Sequence, residues 1–355
     1  MDNTLKVLVS WPKARSNLTP VNSMSVDKSG LDGKILYMWD IFDDDTLKEL
    51  FKINGQPKYI FCDSYSHYQS SLPDQVYCVN AWLESELENR FDGVHVPAYS
   101  SVTTNTTANF IINKAQINRF LTIKLCEIFN VHYDYTWSGL GGNTFDLGVV
   151  IDEKNSINDP LINDLFMYND LGSPVKHIPK KWITVNVDEM PDDHTRSILN
   201  YGHNVQTWNS GLHDIVSSSA VSLITESVWT QNAATFTEKT AYAMLGFTFP
   251  IWVGGVNMAN EWEKIGFDIF SDVIDHSYQS MPTLIERCFY AFYLNREILT
   301  NRAMAKTLRE QHITRLISNQ FKLFNGTLSA HNSRVINTWP TELQVPVRNA
   351  IKKIA

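Results

Sequence analysis

Long apolar runs and closely spaced cysteines are both missing from this sequence. No stretch approaches the roughly 18 apolar residues that a membrane-spanning helix needs, and the chain begins with a strand pattern at residues 5–9 instead of a signal peptide. The four cysteines among the 355 residues are widely spaced, which argues against a CxxC metal site and against a disulfide framework. We therefore expect a soluble, cytoplasmic protein with no membrane span and with buried free thiols.

Familiar catalytic motifs and an excess of positive charge are missing as well. The ten histidines show no paired ligand spacing such as HExxH, and neither a GxSxG element nor a Walker loop is present. A formal net charge of -8 at pH 7 excludes a surface coated in basic residues. In the stretch 296–322, however, six Lys or Arg residues occur with only two Glu residues. Such a helix could follow a nucleic-acid backbone, or its charges could form an ordinary solvated face.

Short apolar runs alternate with helical patterns in the first hundred residues. This alternation is typical of a small parallel-sheet domain of the α/β class, and residues 44–51 have the pattern of a capped helix. Five runs are strand candidates: residues 5–9, 35–38, 59–62, 76–79 and 94–96.

A second α/β unit follows. The Ser- and Thr-rich stretch 100–107 lacks apolar periodicity and is the predicted linker. A strand, helix, strand pattern comes after it, and amphipathic helices are predicted over 282–299 and 302–322. We therefore divide the chain into a first domain (1–105), a second domain (106–325) and a C-terminal helical segment (326–355).

The most informative segment lies in the second domain and reads as strand, loop, helix, strand. An apolar run suited to a buried strand ends at Glu226, and a polar loop follows. Thr237 is then the predicted N-cap of a helix that has Glu238 in its first turn. A second apolar run ends in Gly254 and Gly255, which allow a tight exit and a close approach of a ligand to the backbone.

The start of this helix has the chemistry of a nucleotide-diphosphate site. Free N–H groups and the positive end of the helix dipole suit a diphosphate, and Lys239 adds a mobile cation. The Glu238 carboxylate can accept two hydrogen bonds from a ribose diol. An acidic residue at a helix start followed by a solvated lysine is also a common structural pattern. The sequence alone therefore leaves a ligand site and a simple capping arrangement as two interpretations.

Four short motifs link this region to a known family: ITES at 224–227, FTEK at 236–239, PIWVG at 250–254 and GFDIF at 266–270. The first three resemble the donor-binding half of GT-B glycosyltransferases, closest to the α1,3-fucosyltransferase type. The fourth is similar to a segment of glycosyltransferase-like proteins of bacteriophages and large viruses. The resemblance implies two Rossmann-like domains with a cleft between them, a nucleotide-sugar donor in the second domain and an acceptor in the first. Thr225 replaces an apolar residue of the pattern and Ser227 replaces Asn, which leaves the sugar and the base undetermined.

The resemblance further implies a direct, inverting transfer without metal and without a cofactor other than the donor substrate. Such a transfer needs a general base, which GT-B enzymes usually take from the first domain. There, Asp63 follows a predicted strand, although an Asx turn is an alternative role for it. Lys239 and Arg119 would stabilise the leaving group. The assigned residues are Asp63 and Glu226 as catalytic candidates, and Asn113, Arg119, Thr237, Glu238, Lys239, Gly254 and Gly255 for the donor.

Other interpretations remain open at this level. The acceptor is a glycan or, by analogy with viral enzymes, a hydroxymethylated pyrimidine in DNA. A nucleotide- or glycan-binding module without catalysis belongs to a different functional class. A metal-dependent GT-A enzyme would use Asp43 and Asp45 as oxygen ligands, although an N-cap for the helix that follows explains these residues more simply.

Overall fold

The computed structural model describes most of the second predicted domain and short parts of the first. The described residues are 7–10, 35–38, 59–63, 76–81, 83–84, 87, 94–99, 102–114, 117–140, 157–168, 180–181, 208–226 and 234–354. The predicted helix at 44–51, with Asp43 and Asp45, lies outside them, as does Ser227.

Four short parallel strands form a first sheet in the order β1-β2-β3-β4. These strands are β1 (Val7–Ser10), β2 (Ile35–Met38), β3 (Tyr59–Asp63) and β4 (Val76–Val79). They confirm four of the five predicted strands, with small shifts at the ends. The fifth, at 94–96, is wrong: the His95 N–H donates to Asn209 Oδ1 at 2.7 Å, and the His95 carbonyl accepts from Trp208 Nε1 at 2.7 Å. Side chains, not a neighbouring strand, satisfy this part of the backbone.

Five parallel strands form a second sheet in the order β7-β6-β5-β8-β9. These strands are β5 (Thr106–Lys114), β6 (Tyr133–Leu140), β7 (Lys180–Lys181), β8 (Ser219–Ile224) and β9 (Phe249–Trp252). The first strand along the chain, β5, is central. β6 and then β7 are added on one side of it, and β8 and then β9 on the other side. The strand order therefore reverses between β5 and β8, and ligands of such sheets bind in the crevice beyond the carboxyl ends of the strands at this reversal.

Helices surround the second sheet and extend to the C-terminus. Their bounds are α1 (Ile117–Ile128), α2 (Pro160–Tyr168), α3 (His213–Ser217), α4 (Glu238–Leu245), α5 (Met258–Ile265), α6 (Leu284–Leu294), α7 (Arg296–Thr300), α8 (Arg302–Gln311), α9 (Ile313–Phe324), α10 (Thr327–Asn337) and α11 (Thr341–Ile354). Within the described part of the chain, no helix combines the length and apolar character that crossing a bilayer requires.

The two long helices predicted for the C-terminal half are interrupted. Asn295 ends α6 inside the first predicted helix, and His312 separates α8 from α9 inside the second. Asn301, which caps α8 by accepting a hydrogen bond from Met304 N at 3.0 Å, lies between the two predicted helices, as expected. Asn favours caps over helix interiors because its side chain competes for backbone hydrogen bonds. The apolar periodicity continues through these breaks, so periodicity alone does not reveal them.

Apolar clusters cover both faces of the second sheet. Phe110 and Ile112 of β5 belong to a cluster with α1 and α6, whereas Ile111 between them belongs to a cluster with α4, α5 and α9. This alternation follows from the two-residue period of a strand. All six residues of β8 are buried, as expected for a parallel strand covered on both faces. The carboxyl edge of β8 is consequently enclosed by helices.

The C-terminal helices contact the first sheet. Helix α10 packs on β4 and α11 on β1, and Asn332 of α10 donates to the carbonyl of Asn80, just after β4, at 3.0 Å. Leu83 and Val94 join the apolar cluster that contains α4. The residues after β4 thus pack on the second unit although they precede residue 105.

Three of the six Lys or Arg residues in the basic stretch 296–322 make internal contacts, whereas Arg296, Arg302 and Lys306 are exposed. Arg309 is buried and donates to the carbonyls of Gly246 and Phe247 at 2.7 and 2.8 Å. Arg315 pairs with two aspartates, and Lys322 donates to a carbonyl. These cations hold the ends of α4 and α5 in place and do not form one solvated basic face.

Arg309→Met should lower the free energy of unfolding by about 2 to 3 kcal/mol, because the two carbonyls at the end of α4 lose their buried donors. The matched change Lys306→Met, in the exposed Lys306–Glu310 pair of the same helix, should cost less than about 0.5 kcal/mol. Urea unfolding midpoints compare the two variants. Equal, small effects would contradict the capping role of Arg309.

Candidate functional site

Charged side chains converge where the strand order of the second sheet reverses. Helix α1 follows β5 and carries Arg119 in its first turn, Glu226 follows β8, and α4 begins with Glu238 and Lys239. All four side chains are at least nine-tenths buried. The structure therefore brings together the central residues of the predicted donor site.

Glu226 caps helix α4 from outside. One carboxylate oxygen, Oε1, accepts from Thr237 N at 3.0 Å and from Thr240 Oγ1 at 2.7 Å, and Oε2 accepts from the Thr237 hydroxyl. Thr240 Oγ1 in turn accepts from Trp252 Nε1 at 3.0 Å. A buried carboxylate is tolerated when it is hydrogen-bonded in this way. The Glu226 carboxylate, which was predicted to be catalytic, therefore caps the start of α4.

The first N–H groups of α4 are all used within the protein. Thr237 N donates to Glu226, Lys239 N to the N-cap hydroxyl of Thr237, and Thr240 N to the Thr237 carbonyl at 3.1 Å. The Glu238 carboxylate accepts from its own backbone N–H. Thr237 is thus the N-cap, as predicted, but the prediction that free N–H groups face a diphosphate is wrong. Carboxylates and the hydroxyl and carbonyl of Thr237 satisfy these groups, so side chains must supply any contact with an anion.

Lys239 and Glu238 form a buried ion pair. Lys239 Nζ lies 2.7 Å from Glu238 Oε1 and 3.2 Å from Thr237 Oγ1. Burial raises the pKa of Glu238, but the Lys239 ammonium and its hydrogen bond more than offset this, and the pKa stays below its ordinary value. The Glu238 carboxylate is therefore ionised, and its negative charge balances the positive charge of the Lys239 ammonium.

Arg119 brings a second buried cation to the same place. Its Nε and Nη2 atoms each lie 3.4 Å from the Thr225 carbonyl oxygen. Burial lowers the pKa of Arg119 to about 10, while Glu238 and Glu226 partly counteract this. The guanidinium stays charged at neutral pH and interacts electrostatically with both carboxylates. A buried cation in such a position suits an anionic ligand.

Glu226 and Glu238 respond differently to the same surroundings. Burial raises the pKa of Glu226, Lys239 lowers it, and the neighbouring Glu238 raises it again. The net pKa of Glu226 is raised, whereas that of Glu238 is lowered. Two carboxylates whose environments separate their pKa values are a frequent feature of functional sites.

Gly254 and Gly255 are required by packing. Gly254 has a φ of 82°, and a Cβ atom there would lie 2.7 Å from Leu284 Cδ1. A Cβ atom on Gly255 would lie 2.5 Å from Met258 Cγ. The Gly254 carbonyl accepts from Arg287 Nε at 2.9 Å. The close approach that these glycines permit is to helices α5 and α6.

For Asp63 and Asn113, the strand that each residue occupies gives its position in the fold. Asp63 is the last residue of β3 and is paired with Val79 of β4, and Asn113 is the last but one residue of β5. Asp63 therefore belongs to the first sheet, apart from the charged cluster of the second. Among the described residues, no group of three His, Cys, Asp or Glu side chains is arranged to hold a metal ion.

Two asparagines missed by the sequence interpretation complete the surroundings. Asn118 Nδ2 donates to the Glu226 carbonyl at 3.1 Å and so ties α1 to the end of β8. Asn80 Nδ2 donates to the Phe236 carbonyl at 3.2 Å, directly before the N-cap of α4. Asn118 could have been suspected because it precedes Arg119 at a helix start. Asn80 is separated from Phe236 by 156 residues, and no local pattern connects them.

Comparison with known proteins gives no match, either to a protein-family model or to a curated protein. The geometry of the charged cluster is therefore the main observation that bears on function. That cluster has two buried cations, two carboxylates of unlike pKa, and a place at the sheet position where α/β folds bind ligands.

Glu226→Gln and Glu238→Gln should change the pH dependence of stability in opposite directions. Glu226 has a raised pKa, so its contribution is complete below the ordinary value of 4.5 and is lost as pH rises through the raised pKa. Glu238 has a lowered pKa, so its contribution is present above 4.5 and is lost as pH falls through the lowered pKa.

The free energy of unfolding of wild type minus that of E226Q should therefore fall with rising pH, and wild type minus E238Q should rise. Urea unfolding at a series of pH values on both sides of 4.5 measures both differences. Slopes of the same sign would refute the assignment.

Proposed function

We propose that the protein is a glycosyltransferase that moves a sugar from a nucleoside-diphosphate sugar to a hydroxyl acceptor. The observation that carries the proposal is the placing of Arg119 and Lys239 beside Glu238, at the reversal of strand order in a parallel sheet. Two cations suit a diphosphate, and an ionised carboxylate beside them suits a ribose diol. The motif resemblance around FTEK points to the same chemistry.

In the proposed reaction the acceptor oxygen attacks the anomeric carbon from the face opposite the diphosphate. The carbon–oxygen bond to the diphosphate breaks, the diphosphate leaves with the electron pair, and a general base takes the acceptor proton. Lys239 and Arg119 would stabilise the negative charge that develops on the leaving oxygen. Asp63, at the carboxyl end of β3, is the proposed base. Glu226 would act by holding α4 in place, because its oxygens are engaged in capping.

The proposed architecture is GT-B, with the acceptor on the first sheet and the donor on the second. The return of α10 and α11 to β4 and β1 supports this organisation, since the last helix of GT-B proteins often crosses back to the first domain. A glycan is the favoured acceptor over DNA. The stretch 296–322, which would have followed a nucleic-acid backbone, uses Arg309 and Arg315 in internal contacts.

Lys239→Met should weaken binding of nucleoside diphosphates about 10- to 100-fold, because a buried charge-assisted contact to phosphate is lost. Thermal shift and calorimetric titration with UDP, GDP, CDP and dTDP, and with their sugars, measure the loss and identify the base. Lys306→Met, on an exposed helix face, is the matched control. Retained affinity in K239M would remove the basis of the proposal.

Asp63→Asn should lower kcat at least about 100-fold, the range expected for loss of a general base, and leave the donor dissociation constant within about twofold. A transfer assay with the identified donor measures both, and EDTA should not reduce the rate. Donor binding without turnover in the wild type would favour a binding module. Loss of activity in EDTA would favour the metal-dependent alternative.

A further inference from the structure

One peptide unit before helix α4 is held at both of its polar ends. The Phe236 carbonyl accepts from Asn80 Nδ2 at 3.2 Å, and the N–H of the same peptide, on Thr237, donates to Glu226 Oε1 at 3.0 Å. Asn80 directly follows β4 of the first sheet, and Glu226 lies shortly after β8 of the second. The plane of this peptide is therefore fixed from two sheets at once.

Asn80 is itself held firmly. Its side chain is fully buried, and its Oδ1 atom accepts from Leu83 N at 3.1 Å. The Asn80 carbonyl accepts from Asn332 Nδ2, which also donates to Glu84 Oε2 at 2.5 Å. Both polar atoms of the side chain thus have specific partners, and these two bonds, to Leu83 N and to the Phe236 carbonyl, set the orientation of the amide.

We propose that Asn80 is a positioning residue of the donor site, so that the site on the second sheet is completed by a residue from the edge of the first. This inference rests on the proposed function. The two residues that follow the clamped peptide and the N-cap are Glu238 and Lys239, and their backbone directions depend on that peptide. Without the bond from Asn80, the Phe236 carbonyl loses its buried donor from the first sheet, and the peptide is less firmly oriented.

Two substitutions isolate this bond. In Asn80→Asp and in Asn80→Ser the side-chain oxygen still caps the Leu83 N–H, since Asp, Ser and Asn are all good caps. Neither side chain carries the amide donor that reaches Phe236. The matched control is Asn332→Leu, which removes two bonds from the same cluster but does not touch Phe236.

Amide hydrogen exchange of residues 236–240 and the affinities for UDP and GDP are measured for the full-length variants. Both Asn80 variants should show faster exchange in this segment and about a fivefold to tenfold weaker affinity, the size expected for one buried hydrogen bond. Asn332→Leu should lower the melting temperature and leave exchange at 236–240 and affinity as in the wild type.

Unchanged exchange and affinity in the Asn80 variants would overturn the inference. An equal loss of affinity in Asn332→Leu would also overturn it, because general destabilisation would then explain the effect. If the wild type binds neither nucleotide nor any nucleotide sugar, the proposed function fails by itself, and the exchange measurement still decides whether Asn80 positions the start of α4.

Discussion

A single buried carboxylate organises the carboxyl edge of the second sheet. Glu226 receives hydrogen bonds from the Thr237 backbone and from two threonine hydroxyls, so α4 can begin only where β8 ends. Removing such a group from water is costly unless every bond is made, and this cost keeps the threonines in place. The positions of Glu238 and Lys239 follow directly from the capping. The structural and the proposed functional roles of this edge are therefore inseparable.

A polar ladder inside the sheet sets the register on which that edge depends. Asn109 of β5 donates to the carbonyls of Val216 and Val221, and its Oδ1 accepts from Ser222 Oγ of β8 at 3.2 Å. Ser222 also pairs with Thr248 at 2.7 Å, just before β9. A slip by one residue would leave these buried groups without partners. The ladder thus fixes where β5, β8 and β9 end, and hence where the charged cluster forms.

The buried cations Arg287, Arg309, Arg119 and Lys239 differ in their partners. Arg309 and Arg287 donate to carbonyl oxygens and hold loops and helix ends. Lys239 instead pairs with Glu238 at the strand reversal, and Arg119, which also donates to the Thr225 carbonyl, interacts electrostatically with Glu238 and Glu226. The first arrangement satisfies backbone groups, whereas the second concentrates ionised groups of both signs where a ligand can replace part of their mutual pairing. The proposed function depends on the second arrangement alone.

Local patterns in the sequence determined the α/β class, the described strands of both sheets except β7, and the helix start at Thr237, because each depends on neighbouring residues and a regular period. The same patterns predicted a strand at 94–96 that the structure does not contain. The breaks at Asn295 and His312 were not predictable from periodicity, since the apolar face continues across them. Tertiary structure alone decided that Glu226 caps α4, that Gly254 faces Leu284, and that Asn80 reaches Phe236. These contacts join residues that are distant in the chain, and only the packing of strands and helices fixes which partner satisfies each buried polar group.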